Sequence, residues 1–436
     1  MAGDAAYGKS GEGIMIERVM IAGGGTGGHL FPGIAVVEEL RRRNPAVEVV
    51  FVGTKRGVEN RVLSHLGERL EHVEVWPLKG RNWLERSRSL FRLPMACLQA
   101  FRLLRRYRPD VVVGVGGYAA GPVVLVAALL RVPTALLEQN ATIGLTNRIL
   151  GKLVKRAYVA FPETTLVFGA KRARVVGNPV RRGFVEAARL ADADPDGFSG
   201  GHTEVLILGG SQGAQPLNHV VPQALALLNS RQRVSTLRVV HQSGEGMKEE
   251  VRNAYQSAGI KAEVVGFIDD IAQAYITSSL VIARAGATTL AELCAIGRPS
   301  VLIPYPHASD NHQFTNAKAL EKAGASVTVV QSELSPERLA DKLRILISSP
   351  LERQHMAKKA RMLGKPDAAA QIVDDLFGWV KQRAPRPLEP ERGHEKTEDC
   401  QRLSRARVAV PSAAWQELSH LSYHARPNQS SLALDR

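Results

Sequence analysis

The sequence predicts an α/β protein of two domains, each a parallel sheet covered by helices. Three observations carry that expectation. The chain has 436 residues, more than one ordinary core holds. Short apolar runs alternate with helical stretches, the pattern of parallel strands buried on both faces. The plan also restarts: each half opens with an apolar run leading into a glycine turn, at residues 23–28 and again at 209–213.

In chain order, residues 1–16 read as a disordered leader without the apolar region of a signal peptide. Residues 18–22 form the first strand, and a helix follows the glycine turn to about Arg43, with Ile34, Val37 and Leu40 at helical spacing. A second strand, 47–52, runs into Gly53-Thr54-Lys55-Arg56, and a third is expected near 73–76. A long basic helix precedes the strand 110–115; strands at 133–137, 157–160 and 174–176 complete the half. A polar passage, 191–202, separates it from strands at 204–208, 237–241, 262–265, 280–283, 300–303 and 326–330. An amphipathic helix, 368–380, ends the periodic sequence, and beyond it the chain turns polar and proline-bearing. The expected domains are therefore 17–181 and 182–383, with the last helix able to pack back on the first domain and 384–436 a disordered tail.

A net charge of +15 and a pI near 9.9 call for an anionic partner: phosphate ligand, anionic membrane or nucleic acid. Cys97, Cys294 and Cys400 show neither metal spacing nor a disulfide framework, which suits a reducing cytosol. Residues 111–130 carry no charge, yet four glycines and Pro122 interrupt them, so a strand, a glycine loop and a helix explain them better than a membrane span. Residues 79–108 hold nine Lys/Arg against one acidic residue, mixed with aromatic and aliphatic side chains. That mixture suggests docking to an anionic membrane surface; the plainer alternative is a core-packing helix with a solvated basic face. No nucleic-acid motif accompanies the charge.

Residues 23–28 match the G-x-G-x-x-G pattern, but the second strand ends in basic residues rather than the carboxylate a dinucleotide ribose needs. NAD is thereby disfavoured, with NADP left open through Lys55 and Arg56. His29 opens the following helix, where an imidazole can take a proton from an attacking hydroxyl or simply be structural. Residues 116–122 and Glu138-Gln139-Asn140 are further loops at strand ends. Arg181, after Gly177-Asn178-Pro179, reads as a solvated charge or a phosphate contact. In the second half, a helix at 288–296 follows Gly286, placing a helix N-terminus where open α/β sheets bind phosphate. Glu292 can reach sugar hydroxyls from there, but Thr289–Glu292 and Asp310–Gln313 also read as capping boxes.

Six segments occur in order: IAGGGTGGHLFPGIAVVEEL, GGYAAGPVVLVAALLRVPTALLEQNATIGLTNRIL, GNPVR, LGGSQGAQPLN, GFIDDIAQAY and ARAGATTLAELCAIGRPSVLIPYPHASDNHQFTNA. Together they resemble the MurG family of peptidoglycan N-acetylglucosaminyltransferases, over about residues 17–383. The resemblance implies a GT-B architecture, two Rossmann-like domains facing across a cleft. It implies inverting transfer of GlcNAc from UDP-GlcNAc to the 4-hydroxyl of MurNAc in undecaprenyl-pyrophosphoryl-MurNAc-pentapeptide (lipid I), without metal or other cofactor. The setting it implies is peripheral attachment to the cytoplasmic face of the inner membrane, among other cell-wall synthesis proteins and away from nucleic acid. By position it places Thr26, Gly27 and Gly28 near the donor and the reacting centre, and His29 beside them is the leading general-base candidate, a role inferred from its place rather than established by the resemblance. Asn140 falls on a sugar-contacting position, Arg181 on the arginine of GNPVR, Ser211 on a donor-phosphate contact and Ile268 on a backbone contact to uracil. Ala287, Thr288 and Thr289 would meet the pyrophosphate, Glu292 the ribose and Gln313 the GlcNAc. Two positions depart from the pattern: Ala285 stands where Ser is frequent, and His312 where Gln is. Rival readings are another GT-B glycolipid glycosyltransferase, a UDP-GlcNAc 2-epimerase, an NADP-dependent oxidoreductase, or a basic binding protein without enzymatic activity.

Overall fold

The computed structural model describes residues 16–55, 59–75, 83–193, 203–210, 213–232 and 237–381. The expected leader (except Ile16), the expected tail, most of the polar passage 191–202 and Ser211 lie outside the described residues.

Among the described residues, thirteen strands fall into two sheets, with helices between them. The first sheet comprises β1 (Arg18–Gly23), β2 (Glu48–Gly53), β3 (Leu70–His72), β4 (Val111–Gly116), β5 (Thr134–Glu138), β6 (Arg156–Val159) and β7 (Ala173–Val175). The second comprises β8 (Thr203–Leu208), β9 (Leu237–Gln242), β10 (Lys261–Val265), β11 (Leu280–Ala283), β12 (Ser300–Leu302) and β13 (Ser326–Thr328). Their orders are β3-β2-β1-β4-β5-β6-β7 and β10-β9-β8-β11-β12-β13, and every pairing is parallel. Each order reverses once, between β1 and β4 and between β8 and β11. At such a reversal the flanking helices lie on opposite faces, opening a crevice beyond the strands' carboxyl ends.

Burial on both faces explains the unbroken apolar runs. In β1, Val19 and Ile21 enter one core with Leu30, Ile34 and Val37, while Met20 and Ala22 enter the opposite core with Val123 and Leu136. In β8, Val205 and Ile207 face one helix layer, and Leu206 and Leu208 the other. The apolar segment 111–130 resolves into β4 and the helix Ala120–Leu129. Among the described residues no helix is long and apolar enough to cross a membrane.

The third strand lies before its expected place: Leu70 pairs with Phe51, while the Val73 N–H still donates to Gly53 O at 3.0 Å. An edge strand with half-buried residues has no continuous apolar run to mark it, so the apolar pair Val73 and Val75 drew the sequence reading downstream.

The final helix, Ala368–Lys381, follows the second sheet in sequence but packs on the first. Ile372, Val373 and Leu376 are fully buried against the layer holding Ile34 and Leu40. Burying each contributes about 1.5–3 kcal/mol. Asp375 Oδ2 accepts from Arg156 Nε and from Tyr158 OH, both at 2.8 Å, which fixes the helix's rotation.

Candidate active site

The crevice of the first sheet is closed by two touching glycine loops. Gly24 N–H donates to Gly116 O at 3.2 Å, and Gly117, at φ +80°, lies so close that a Cβ would sit 2.3 Å from Gly24 O. The helix Gly27–Arg43 begins directly after, with Thr26 as its N-cap residue, so Thr26, Gly27 and Gly28 line the crevice and His29 rises from the first turn. The imidazole packs on Gly116, where a Cβ would stand 2.6 Å from Nδ1.

His29 Nδ1 is buried without a hydrogen-bond partner, and so is the Oε1 atom of Gln139. Gln139 Nε2 meanwhile donates to Val115 O at 2.9 Å. Burial lowers the His29 pKa below the ordinary histidine value. Gln139 and the Val115 carbonyl oppose that shift, and His312, reaching across from the second domain, adds to it. A neutral imidazole with one nitrogen turned to the protein and the other toward the cleft is equipped to accept a proton.

The carboxylate that the second strand seemed to lack is supplied by Glu59, from a helix beyond it. Glu59 is fully buried and accepts from Gly25 N–H (2.8 Å), Thr54 N–H (2.8 Å) and Thr54 Oγ1 (3.0 Å). Its oxygens are spent on the loop backbone, so it shapes the glycine turn instead of offering a ribose site. The sequence signal for it was absent, because residue spacing does not reveal that this helix returns over the β2 end.

At the second crevice the loop after β8 is crowded against the loop after β9. Gly213, at φ +74°, sits where a Cβ would lie 1.8 Å from Ser243 O. Gln242, unnoticed in the sequence, ties three loops: Nε2 donates to Gly210 O at 2.8 Å and Oε1 accepts the Ile268 N–H at 3.1 Å. The amide of Ile268 is therefore already engaged.

The helix Ala287–Ile296 begins at the β11 end with Gly286 as its cap and no side-chain capping bond. Thr289 thus lies within the first turn, and the capping-box reading of Thr289–Glu292 is overturned. Thr288 Oγ1 is buried there without a partner. Glu292 is itself buried: Oε1 pairs with Arg181 Nη2 at 3.2 Å and Oε2 lies 3.4 Å from Tyr275 OH. Burial raises its pKa, and Arg181 acts against that rise. Neither sequence reading of Arg181 describes this; its guanidinium lies 4.7 Å from the Phe31 ring and 5.2 Å from the Phe184 ring. The second capping box fails too, since Asn311 precedes the helix His312–Lys322 in the left-handed region and makes no side-chain cap. Gln313 Oε1 instead accepts the Tyr305 N–H at 2.9 Å.

The domains touch at the cleft edge. Asn140 Oδ1 accepts from Asn316 Nδ2 at 3.1 Å, and Ala141 N–H donates to Asn316 Oδ1 at 2.9 Å. The loops of both crevices thus converge, bringing together Thr26–His29, Asn140, Ala287–Glu292 and Gln313.

This arrangement has relatives. Residues 19–159 match the glycosyltransferase family 28 N-terminal domain and 204–372 the C-terminal domain of the same family. A UDP-N-acetylglucosamine–N-acetylmuramyl-(pentapeptide) pyrophosphoryl-undecaprenol N-acetylglucosamine transferase of Myxococcus xanthus is 48% identical over 86% of this chain and 98% of its own. Its counterpart in Syntrophus aciditrophicus is 46% identical over 84% of this chain and 100% of its own. The crystal structure of Acinetobacter baumannii MurG superposes with a TM-score of 0.68 at 32% identity, covering 83% of this chain and 99% of that one. The chain belongs to the MurG family. It is a two-domain GT-B glycosyltransferase, as that resemblance implied. A UDP-GlcNAc 2-epimerase of Neisseria meningitidis, at 14% identity and TM-score 0.57 over 83% of this chain and 100% of that one, shares the MurG-family fold alone.

Proposed function

We propose that this protein transfers GlcNAc from UDP-GlcNAc to the MurNAc 4-hydroxyl of lipid I, forming lipid II with inversion at the anomeric carbon. The observation that carries the reading is the convergence of two unlike crevices. One holds a half-buried histidine whose Nδ1 is enclosed and whose pKa is lowered by desolvation, the other a helix N-terminus with an unpartnered Thr288 hydroxyl, in a chain whose close relatives bear that activity's name.

The acceptor O4 attacks C1 of the GlcNAc from the face opposite UDP. The bond from C1 to the phosphate oxygen breaks, and UDP departs with the electron pair. The hydroxyl proton passes to Nε2 of His29, while Nδ1–H turns to Gln139 or the Val115 carbonyl, and water later removes it. The developing phosphate charge meets the N–H groups and dipole of the helix at Ala287, Thr288 and Thr289. Glu292 holds the ribose, its second edge steadied by Arg181, and Gln313 holds the sugar with Asn140 beside it. Ile268 faces the base, and Ser211 completes the phosphate contacts.

The enzyme works at the cytoplasmic membrane surface through the helix Trp83–Tyr107. Its inner stripe, Ala96, Ala100 and Leu104, is buried, while Leu93, Met95, Leu98 and Phe101 are exposed beside Arg92, Arg102 and Arg105. That outer face suits an anionic bilayer carrying the lipid acceptor.

Purified protein given radiolabelled UDP-GlcNAc and a lipid I analogue is expected to place label in the lipid product. Label confined to UDP-GlcNAc or to a free sugar nucleotide epimer, beside an active control enzyme, would overturn the reading.

A further inference from the structure

The contact between Asn140 and Asn316 is more than a place where two domains meet. Asn316 is fully buried, one turn beyond Gln313 in the helix His312–Lys322. Its side-chain amide donates to Asn140 Oδ1 and accepts from Ala141 N–H, so the two bonds form one reciprocal clasp across the cleft. A primary amide carries a donor and an acceptor side by side on one planar group, which is what this two-bond contact uses.

The far side of the clasp is also rigid. Glu138 is buried and accepts from Asn140 N–H at 3.1 Å, Gly144 N–H at 3.2 Å and Asn147 Nδ2 at 3.0 Å. Asn140 Nδ2 points back toward Glu138 Oε1 at 3.5 Å, which turns Oδ1 outward to Asn316. Glu138 therefore sets the amide orientation of Asn140, and Asn316 reads it.

We propose that Asn316 is a positioning residue for glycosyl transfer. It locks the Glu138–Asn140 loop of the domain carrying His29 against the helix carrying Gln313, so the cleft closes to one geometry. The donor sugar is then presented to the acceptor hydroxyl at a set angle. This proposal rests on the reading of Asn140 and Gln313 as donor-sugar contacts. Misplacing reacting groups by about 1 Å costs on the order of a hundredfold in rate. Loss of the clasp should therefore lower kcat and leave the binding of UDP itself unchanged.

The test is steady-state transfer from UDP-GlcNAc to a lipid I analogue for N316A, N316D, N140A and N140A/N316A, with UDP affinity by calorimetry and Tm for each. N316A is expected to lose kcat by roughly tenfold to a hundredfold at unchanged UDP affinity. N316D keeps the shape and can accept from Ala141 N–H but cannot donate to Asn140. An Asn140 amide flip would not rescue it, because Oδ1 would then face Glu138. N316D should therefore lose kcat at unchanged UDP affinity; its Tm falls as well, because a buried carboxylate then faces Asn140 Oδ1, so turnover is compared below that Tm. The double variant should be no worse than the more impaired single one. Wild-type kcat in N316D, or losses that multiply in the double variant, would overturn the proposal. If N140A itself turned over normally with an unchanged KM for UDP-GlcNAc, the underlying sugar-contact reading would be the part that failed.

Discussion

Arg181 and Glu292 form an ion pair at 3.2 Å where the two domains join, with the guanidinium held between Phe31 of the first domain and Phe184 of the second. Breaking such a pair from one side strands a buried charge. Arg181→Ala is expected to destabilise the protein by about 3–5 kcal/mol, whereas Glu292→Gln, which removes the charge that needs a partner, should cost less. Urea unfolding of the two variants checks the order. Glu292→Ala should also weaken UDP-GlcNAc binding by about 1–3 kcal/mol, measured by calorimetry.

His29→Ala is expected to lower kcat by on the order of 10²–10⁴ with little change in affinity for UDP-GlcNAc. Because burial lowers the His29 pKa, the base form persists below the ordinary histidine range. Transfer should therefore hold steady through neutral pH and fall only on the acid side of pH 6.5. A pH–kcat profile with its acid limb at or above 7 would exclude His29 as the titrating base.

Stability should fall with acid for a separate reason. His241 is fully buried between Tyr255 OH and Asn218 Oδ1, and burial pushes its pKa down to about 3. The unfolded chain binds the proton near pH 6.5 and the folded chain does not, so stability is complete above 6.5 and drains away as pH drops toward 3. At pH 5 the loss from His241 amounts to about 2 kcal/mol. Urea midpoints of wild type and His241→Gln, compared at pH 7.5 and pH 5, should show a shallower pH dependence in the variant.

Glu59 offers a test confined to the first domain. Glu59→Ala leaves the Gly25 and Thr54 N–H groups unpaired beneath the glycine turn. The expected cost is about 1–3 kcal/mol per unpaired group, together with reduced kcat as the Thr26–His29 segment loosens. UDP affinity should stay at the wild-type value, since the proposed nucleotide site lies in the other crevice; a large loss of UDP binding would contradict the proposed division of labour between the domains.

Glycine turns and apolar runs were legible because their causes are local. A strand buried on both faces must be apolar throughout, as in Val19–Ala22 and Leu280–Ala283, and a turn where backbones nearly touch must be glycine, as at Gly117. Edge strand β3, half-buried, carried no such mark and was placed downstream of its true position. The capping boxes misled because the four-residue pattern is compatible with a cap yet does not require one. Once the helix starts at Ala287, Glu292 falls inside it and needs another partner.

The sequence alone determined two parallel-sheet domains, their glycine-turn crevices and, through six segments in order, the enzyme family. Tertiary structure decided what each polar side chain touches. Arg181 meets Glu292 across 111 residues of chain and Asn316 meets Asn140 across 176, while the last helix returns to the first core. No periodicity encodes such contacts, because hydrogen bonds and ion pairs need distance and orientation that only the folded chain supplies.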